Sequence, residues 1–87
     1  MPEIKVRLFA NFREFTKTKE LKMEGETVRA VLLTLCRKYP GLANMLFKDG
    51  NLRDYVNVFL NGRNVTSLDI QLKQDDEIAI FPPVSGG

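Results

Sequence analysis

The sequence has no histidine and only one cysteine among its 87 residues. A single cysteine cannot form an internal disulfide, and without histidine there is no imidazole ligand for zinc and no base for a Ser–His–Asp triad. No apolar run approaches the roughly 20 residues that a membrane-spanning helix needs, and the N-terminus has no apolar signal-peptide core. These absences favour a soluble, cytoplasmic protein with no metal site and no membrane partner.

Neither sign of charge dominates. Thirteen Lys and Arg against eleven Asp and Glu give a net charge of +2, and the positive residues are scattered along the chain. This balance predicts no nucleic-acid partner. A hydrophobic content of 44% over 87 residues is enough for one domain with a modest core, but leaves little room for an enclosed active site. We therefore expect one domain that binds no cofactor and is not itself an enzyme.

Alternating residues predict two strands at the start of the chain. Over residues 3–10, Ile4, Val6 and Leu8 share one face, as a half-buried strand requires. A polar segment with two embedded phenylalanines follows over residues 11–18. Residues 20–23 then alternate again, which predicts a second strand hairpinned to the first.

Helical spacing begins after Thr27, a plausible N-cap. The apolar residues recur along one stripe that ends before Pro40: Val28, Val31, Leu32, Leu35 and Tyr39. This pattern predicts one amphipathic helix, with Cys36 as an ordinary packed cysteine near the edge of the stripe. Residues 42–47 favour a short irregular or helical turn, which the turn signal Asp49-Gly50 closes.

The second half of the chain predicts three more strands. Residues 55–60 alternate and run into Asn61-Gly62, a strong two-residue hairpin signal, so a short strand is expected over residues 63–65. Residues 77–81 form the last strand. This order predicts an α+β, ubiquitin-like β-grasp domain over residues 1–81, with a mixed sheet of four to five strands packed on one main helix. Its core residues are Ile4, Val6, Leu8, Val58, Leu60, Ile78 and Ile80.

Three phenylalanines fall on the sheet face away from the helix. Phe9, Phe59 and Phe81 belong to strands that lie side by side in a β-grasp order. They predict an exposed aromatic patch on which partner proteins dock. The alternative is that loops such as residues 11–15 cover each ring separately, since scattered surface apolar residues are common.

After Phe81 the chain ends in Pro82, Pro83, Val84, Ser85, Gly86 and Gly87. The prolines favour an extended tail of about 18 Å, at about 3.1 Å per residue. Two glycines without side chains allow a narrow channel to hold the backbone and bring the terminal carboxylate to a reactive group. A carboxylate is a poor acyl donor, so this chemistry needs adenylation by ATP. The alternative is an ordinary frayed chain end.

The chain resembles the small subunit of molybdopterin synthase, the MoaD and ThiS sulfur carriers, and the archaeal ubiquitin-like modifiers. The resemblance spans the whole chain and is strongest over residues 76–87, with the ending Phe81-Pro82-Pro83-Val84-Ser85-Gly86-Gly87. Phe9-Ala10 and the Asn61-Gly62 turn support it.

The resemblance implies that an E1-like enzyme uses ATP to adenylate Gly87, which then becomes a thiocarboxylate. A pterin precursor bound in the molybdopterin synthase large subunit would receive the sulfur, for molybdenum or tungsten cofactor biosynthesis. Other outcomes stay open: conjugation through Gly87 to lysines of target proteins, sulfur delivery for tRNA thiolation or thiamine synthesis, or an RNA-binding or interaction module with an incidental tail. Gly87 is the end either as encoded or after trimming of a precursor.

Overall fold

Strand β1, Glu3–Leu8, begins the fold in a computed structural model that describes residues 1–82. Ile4, Val6 and Leu8 are buried, as their alternation predicts. The prediction of a strand over residues 3–10 was two residues too long. At Ala10 the backbone takes a left-handed φ of 51°, which turns the chain out of the strand and into helix α1, Ala10–Thr16.

Helix α1 was not predicted, because its seven residues are too few for a clear helical period. Its first turn has no side-chain cap, but Phe12 and Thr16 are buried, and the Thr16 hydroxyl donates to the Phe12 carbonyl at 2.9 Å. Strand β2, Glu20–Glu24, then pairs antiparallel with β1, which confirms the predicted hairpin.

Helix α2, Val28–Lys38, is the main helix. The Thr27 hydroxyl oxygen accepts a hydrogen bond from the Ala30 amide at 3.1 Å, which confirms Thr27 as the N-cap. The buried side chains are Val28, Val31, Leu32 and Leu35, and the helix ends before Pro40 as predicted.

Helix α3, Leu42–Leu46, confirms the predicted helical turn. A two-stranded sheet of β3, Phe47–Lys48, and β4, Asn51–Leu52, follows, and the sequence did not predict it. Between its strands, Asp49 and Gly50 have left-handed φ values of 54° and 81°, so the predicted turn is present.

The last three strands are β5, Asn57–Leu60, β6, Arg63–Asn64, and β7, Glu77–Phe81. The predictions for β5 and β6 over residues 55–60 and 63–65 were slightly long. Asn61 and Gly62 have φ values of 50° and 85°, as a type I′ hairpin loop requires. The five-stranded sheet has the order β2-β1-β7-β5-β6, with β1 and β7 parallel. This mixed sheet with one main helix is the predicted ubiquitin-like β-grasp.

Six of the seven predicted core residues are buried, and Leu60 is the exception. Leu60 packs against the core but stays partly exposed. It is the last residue of β5, and beside it the edge strand β6 has only two residues. The sheet therefore covers Leu60 less completely than it covers Val58.

Two adjacent leucines of α2 provide a matched test of this core. Leu32 is fully buried and Leu33 is 47% exposed. We expect Leu32→Ala to lower the free energy of unfolding by about 2–5 kcal/mol, because it leaves a cavity. Leu33→Ala should change it by less than about 0.5 kcal/mol. Urea unfolding of both variants measures the difference, and equal losses would contradict this packing.

Candidate functional site

The C-terminal tail starts from a strand at the centre of the sheet. Strand β7 pairs with β1 on one side and with β5 on the other. The pairing of β7 with the first strand extends one residue beyond the end of β1, where the backbone amide of Phe9 donates to the Ile80 carbonyl at 3.3 Å. On the other side Phe81 is paired with Asn57. The backbone that leads into the tail is therefore held from both sides.

The three predicted phenylalanines meet on the sheet face away from α2. The rings of Phe9 and Phe81 are stacked, with centroids 4.4 Å apart and planes 11° apart. The ring of Phe59 meets that of Phe81 edge-on, at 5.3 Å and 75°. All three side chains remain partly exposed. The rings thus pack on one another and form one surface, called the aromatic cluster below.

A recess of about 370 Å³ lies beside this cluster, lined by Asn57, Phe59, Phe81 and Pro82. Two of its four lining residues are aromatic rings of the cluster, and a third, Pro82, is the first residue after β7. An apolar recess with one amide side chain is suited to accept an apolar side chain of another protein. Its position places such a contact directly at the start of the tail.

Arg7 forms the charged flank of the aromatic cluster. Its guanidinium carbon lies 5.3 Å from the Phe9 ring centroid, and its nitrogens lie 3.3 Å from Glu77 and 3.9 Å from Glu20. Each of these ion pairs is half-exposed, so each contributes at most about 1 kcal/mol. Sequence reasoning did not identify Arg7. The available signal was the alternation that places it on the same face as Phe9.

The start of β7 is tied to the hairpin turn between β5 and β6. The side-chain amide nitrogen of Asn61 donates to a carboxylate oxygen of Asp76 at 2.9 Å. The side-chain oxygen of Asn61 accepts from the backbone amide of Glu77 at 2.9 Å. The other carboxylate oxygen of Asp76 accepts from the Lys73 amide at 2.8 Å. The sequence indicated Asn61 only as a turn residue. In the structure it also fixes where β7 begins.

Of the predicted tail, the structure describes only Pro82. Pro83, Val84, Ser85, Gly86 and Gly87 lie outside the described residues, so their extended form and their role stay predictions. Within residues 1–82, no three His, Cys, Asp or Glu side chains come together as a metal site, and no helix is long and apolar enough to cross a membrane.

Cys36 packs against the hydrophobic core and is partly exposed, as expected of an ordinary packed cysteine. Burial raises the pKa of its thiol. A raised pKa reduces the thiolate fraction at neutral pH, so this side chain is a poor nucleophile. The aromatic cluster and the tail therefore remain the candidate functional site.

A β-grasp sheet that presents an aromatic cluster beside the origin of a C-terminal diglycine tail defines a class of small ubiquitin-like carriers and modifiers. The chain matches the ThiS family over residues 6–87 and belongs to it. This result confirms the predicted resemblance.

Two relatives carry names from both branches of this class. Small archaeal modifier protein 3 of Haloferax volcanii is 41% identical over an alignment of 91 positions that covers 98% of this chain and 99% of the relative. The molybdopterin synthase sulfur carrier subunit of Arabidopsis thaliana is 38% identical over an alignment of 88 positions that covers 98% of this chain and 83% of the relative. The relatives are thus named as modifiers and carriers.

Solved structures show the same fold. The solution structure of small archaeal modifier protein 1 from Methanosarcina acetivorans matches with a TM-score of 0.90 at 45% identity, covering 100% of this chain and 98% of that one. A chain in the crystal structure of the Amycolatopsis orientalis BexX/CysO complex matches with a TM-score of 0.86 at 26% identity, covering 97% and 99%. A related structure is therefore a complex of two proteins.

The raised thiol pKa predicts slow alkylation of Cys36. At neutral pH the folded chain should react with iodoacetamide more slowly than the urea-unfolded chain. Its rate should keep rising with pH beyond the ordinary cysteine pKa, because only the thiolate reacts. Measuring the rate against pH for both states tests this, and equal rates at neutral pH would contradict the burial of this thiol.

Proposed function

We propose that this chain is a sulfur carrier similar to the molybdopterin synthase small subunit, and that its working group is the carboxylate of Gly87. The observation that carries the proposal is the diglycine ending after Pro82, on a ThiS-family chain whose last strand lies at the centre of the sheet. The acceptor is a precursor of the molybdenum or tungsten cofactor.

The chemistry has two steps at the Gly87 carboxylate. A carboxylate oxygen attacks the α-phosphate of ATP and pyrophosphate leaves, which gives an acyl adenylate. Hydrosulfide released by the sulfur donor then attacks the acyl carbon, AMP leaves with the bonding electron pair, and loss of the S–H proton leaves a thiocarboxylate. ATP binding and the sulfur donor belong to partner proteins, so an E1-like enzyme catalyses these steps and this chain supplies the acyl group.

The folded body serves to deliver that group. The C-terminal tail starts at the end of β7, and we call this point the root of the tail. Strand pairing on both sides of β7 and the contacts of Asn61 hold it in one place. The aromatic cluster and its recess lie next to that root and provide apolar area for docking. A partner that covers Phe9, Phe59 and Phe81 would receive the tail at a defined position. The E1-like enzyme and the synthase large subunit are the expected partners.

A second candidate is protein modification, favoured by the relatives named small archaeal modifier proteins. Both candidates share the acyl adenylate and differ in the nucleophile that follows. In modification the amine of a target lysine takes the acyl group and forms an isopeptide bond. Sulfur delivery for tRNA thiolation or thiamine synthesis shares the thiocarboxylate and differs only in the acceptor.

The tail is tested directly by intact mass. After incubation with an activating enzyme, ATP and a sulfur donor, the chain should gain the mass difference between one sulfur and one oxygen atom. A chain lacking Gly86 and Gly87 should gain nothing, because its end presents a bulkier residue to the channel. Full-length protein that stays unchanged with an enzyme active on its own carrier would contradict sulfur carriage.

The same pair of chains separates the alternatives in a host strain. Sulfur carriage predicts that only the full-length chain restores cofactor synthesis. Modification predicts Gly-Gly remnants on lysines of other proteins after digestion, again only with the full-length chain. An interaction module with an incidental tail predicts no difference between the two chains.

The aromatic cluster is tested by a matched pair of phenylalanine variants. Phe59 belongs to the cluster, whereas Phe15 lies on α1, is 48% exposed and packs near Gly41. We expect Phe59→Ala to raise the Kd for the activating enzyme by about tenfold or more, equivalent to about 1.4 kcal/mol. Phe15→Ala should change it little. Calorimetry measures both, and equal effects would contradict docking on the cluster.

A further inference from the structure

Strand β2 forms one edge of the five-stranded sheet, and no other strand within residues 1–82 pairs with its outer side. The Leu8 amide donates to the Lys19 carbonyl, and the Gly25 amide donates to the Pro2 carbonyl. In an antiparallel ladder the residues that bond to the neighbouring strand alternate. The backbone N–H and C=O groups that point away from the sheet are therefore those of Glu20, Lys22 and Glu24. Such an edge is a template for another strand.

Two of the three charged residues on this edge lie opposite like charges in the chain's own sheet, whereas Glu20 lies opposite Arg7 and pairs with it at 3.9 Å. Lys22 lies directly opposite Lys5 on β1, and Glu24 lies directly opposite Glu3. Like charges in directly opposite positions are destabilising. Lys22 shares a shallow pocket with Glu3 and Asp75, but it belongs to none of the three ion pairs found in residues 1–82. The charges of Lys22 and Glu24 can therefore be balanced by opposite charges on a neighbouring strand.

The sequence Glu20-Leu21-Lys22-Met23-Glu24 limits how two copies of β2 can pair antiparallel. Pairing centred on Lys22 sets Lys22 against Lys22 and Glu20 against Glu24 of the second copy. Pairing centred on Met23 sets Glu20 against Glu26. Pairing centred on Leu21 sets Glu20 against Lys22 and leaves no like charges opposite one another.

We propose that two copies of this chain associate through antiparallel pairing of their β2 strands, centred on Leu21. In this register Glu20 of each copy exchanges backbone hydrogen bonds with Lys22 of the other copy. The negative and positive side chains of each such pair lie opposite one another. Leu21, which is only partly buried, meets Leu21 of the second copy on the helix side of the sheet. The two sheets join into one.

The sheet order keeps this interface apart from the recess and from Pro82, and Glu20 reaches only Arg7 at the flank of the aromatic cluster. Strand β1 separates β2 from β7, and the recess at Phe59 and Phe81 lies beyond it. Each copy in the pair can therefore still present its tail and aromatic cluster to a partner. Because the opposed charges are exposed, the association is weak and falls with added salt.

Charge exchange on the full chain tests the register. Wild type should show a concentration-dependent mass approaching twice the monomer mass in sedimentation at low salt. Lys22→Glu should be monomeric, because all three charged residues of β2 are then acidic. The double variant E20K/K22E should dimerise again, because a lysine at position 20 of one copy then lies opposite a glutamate at position 22 of the other. Glu24→Gln is the matched control and should dimerise like wild type.

A second measurement uses the unaltered sequence. In a mixture of isotope-labelled and unlabelled wild type, an intermolecular contact between the Leu21 α-protons of the two copies is expected, since they face each other in a non-hydrogen-bonded pair. Wild type that stays monomeric at NMR concentrations in low salt would overturn the proposal. So would a Lys22→Glu dimer, or a folded E20K/K22E variant that stays monomeric.

Discussion

The parallel pairing of β1 with β7 is the interaction on which the rest of the structure depends. It aligns Val6 with Ile78 and Leu8 with Ile80, so the two central strands supply much of the buried core beneath α2. It also brings the C-terminal ends of both strands to the same edge of the molecule. Phe9 and Phe81 stack there for that reason. One pairing thus sets both the core and the place from which the tail leaves.

That placement supports the proposed division between a folded body and a reactive end. Strand β7 is paired on both sides and cannot shift without breaking two ladders, so Pro82 leaves the sheet at a fixed position. The aromatic cluster lies at the same point and is the proposed recognition surface. The proposed chemistry needs no catalytic side chain from the body, because adenylation uses the carboxylate oxygen of Gly87 and sulfur transfer its carbonyl carbon, and partner enzymes catalyse both steps.

The spacing of apolar residues and the residues typical of turns predicted most of the fold from the sequence. Thr27, the stripe of α2 and the Asn61-Gly62 loop carry strong local signals, and the structure confirms them. Helix α1 carries none, because it is short and burial of Phe12 stabilises it. The β3–β4 hairpin shows only its Asp49-Gly50 turn, because its strands have two residues each and are too short for an alternating pattern. The alternation of residues along three strands predicted that Phe9, Phe59 and Phe81 share one sheet face, where their rings are in contact. The contacts of Arg7 and Asn61, and the like charges opposed on β1 and β2, depend on strand register, which composition and period do not encode.

The central claim is that the reactive atom is the carbonyl carbon of Gly87 and not an atom of a side chain in residues 1–82. Because Cys36 is the single cysteine, a Cys36→Ser chain has no thiol of its own. After treatment with an activating enzyme, ATP and a sulfur donor, this variant should become alkylatable by iodoacetamide, with the adduct on the C-terminal peptide at Gly87. A variant that stays unreactive while the same mixture converts the enzyme's own carrier would contradict the claim.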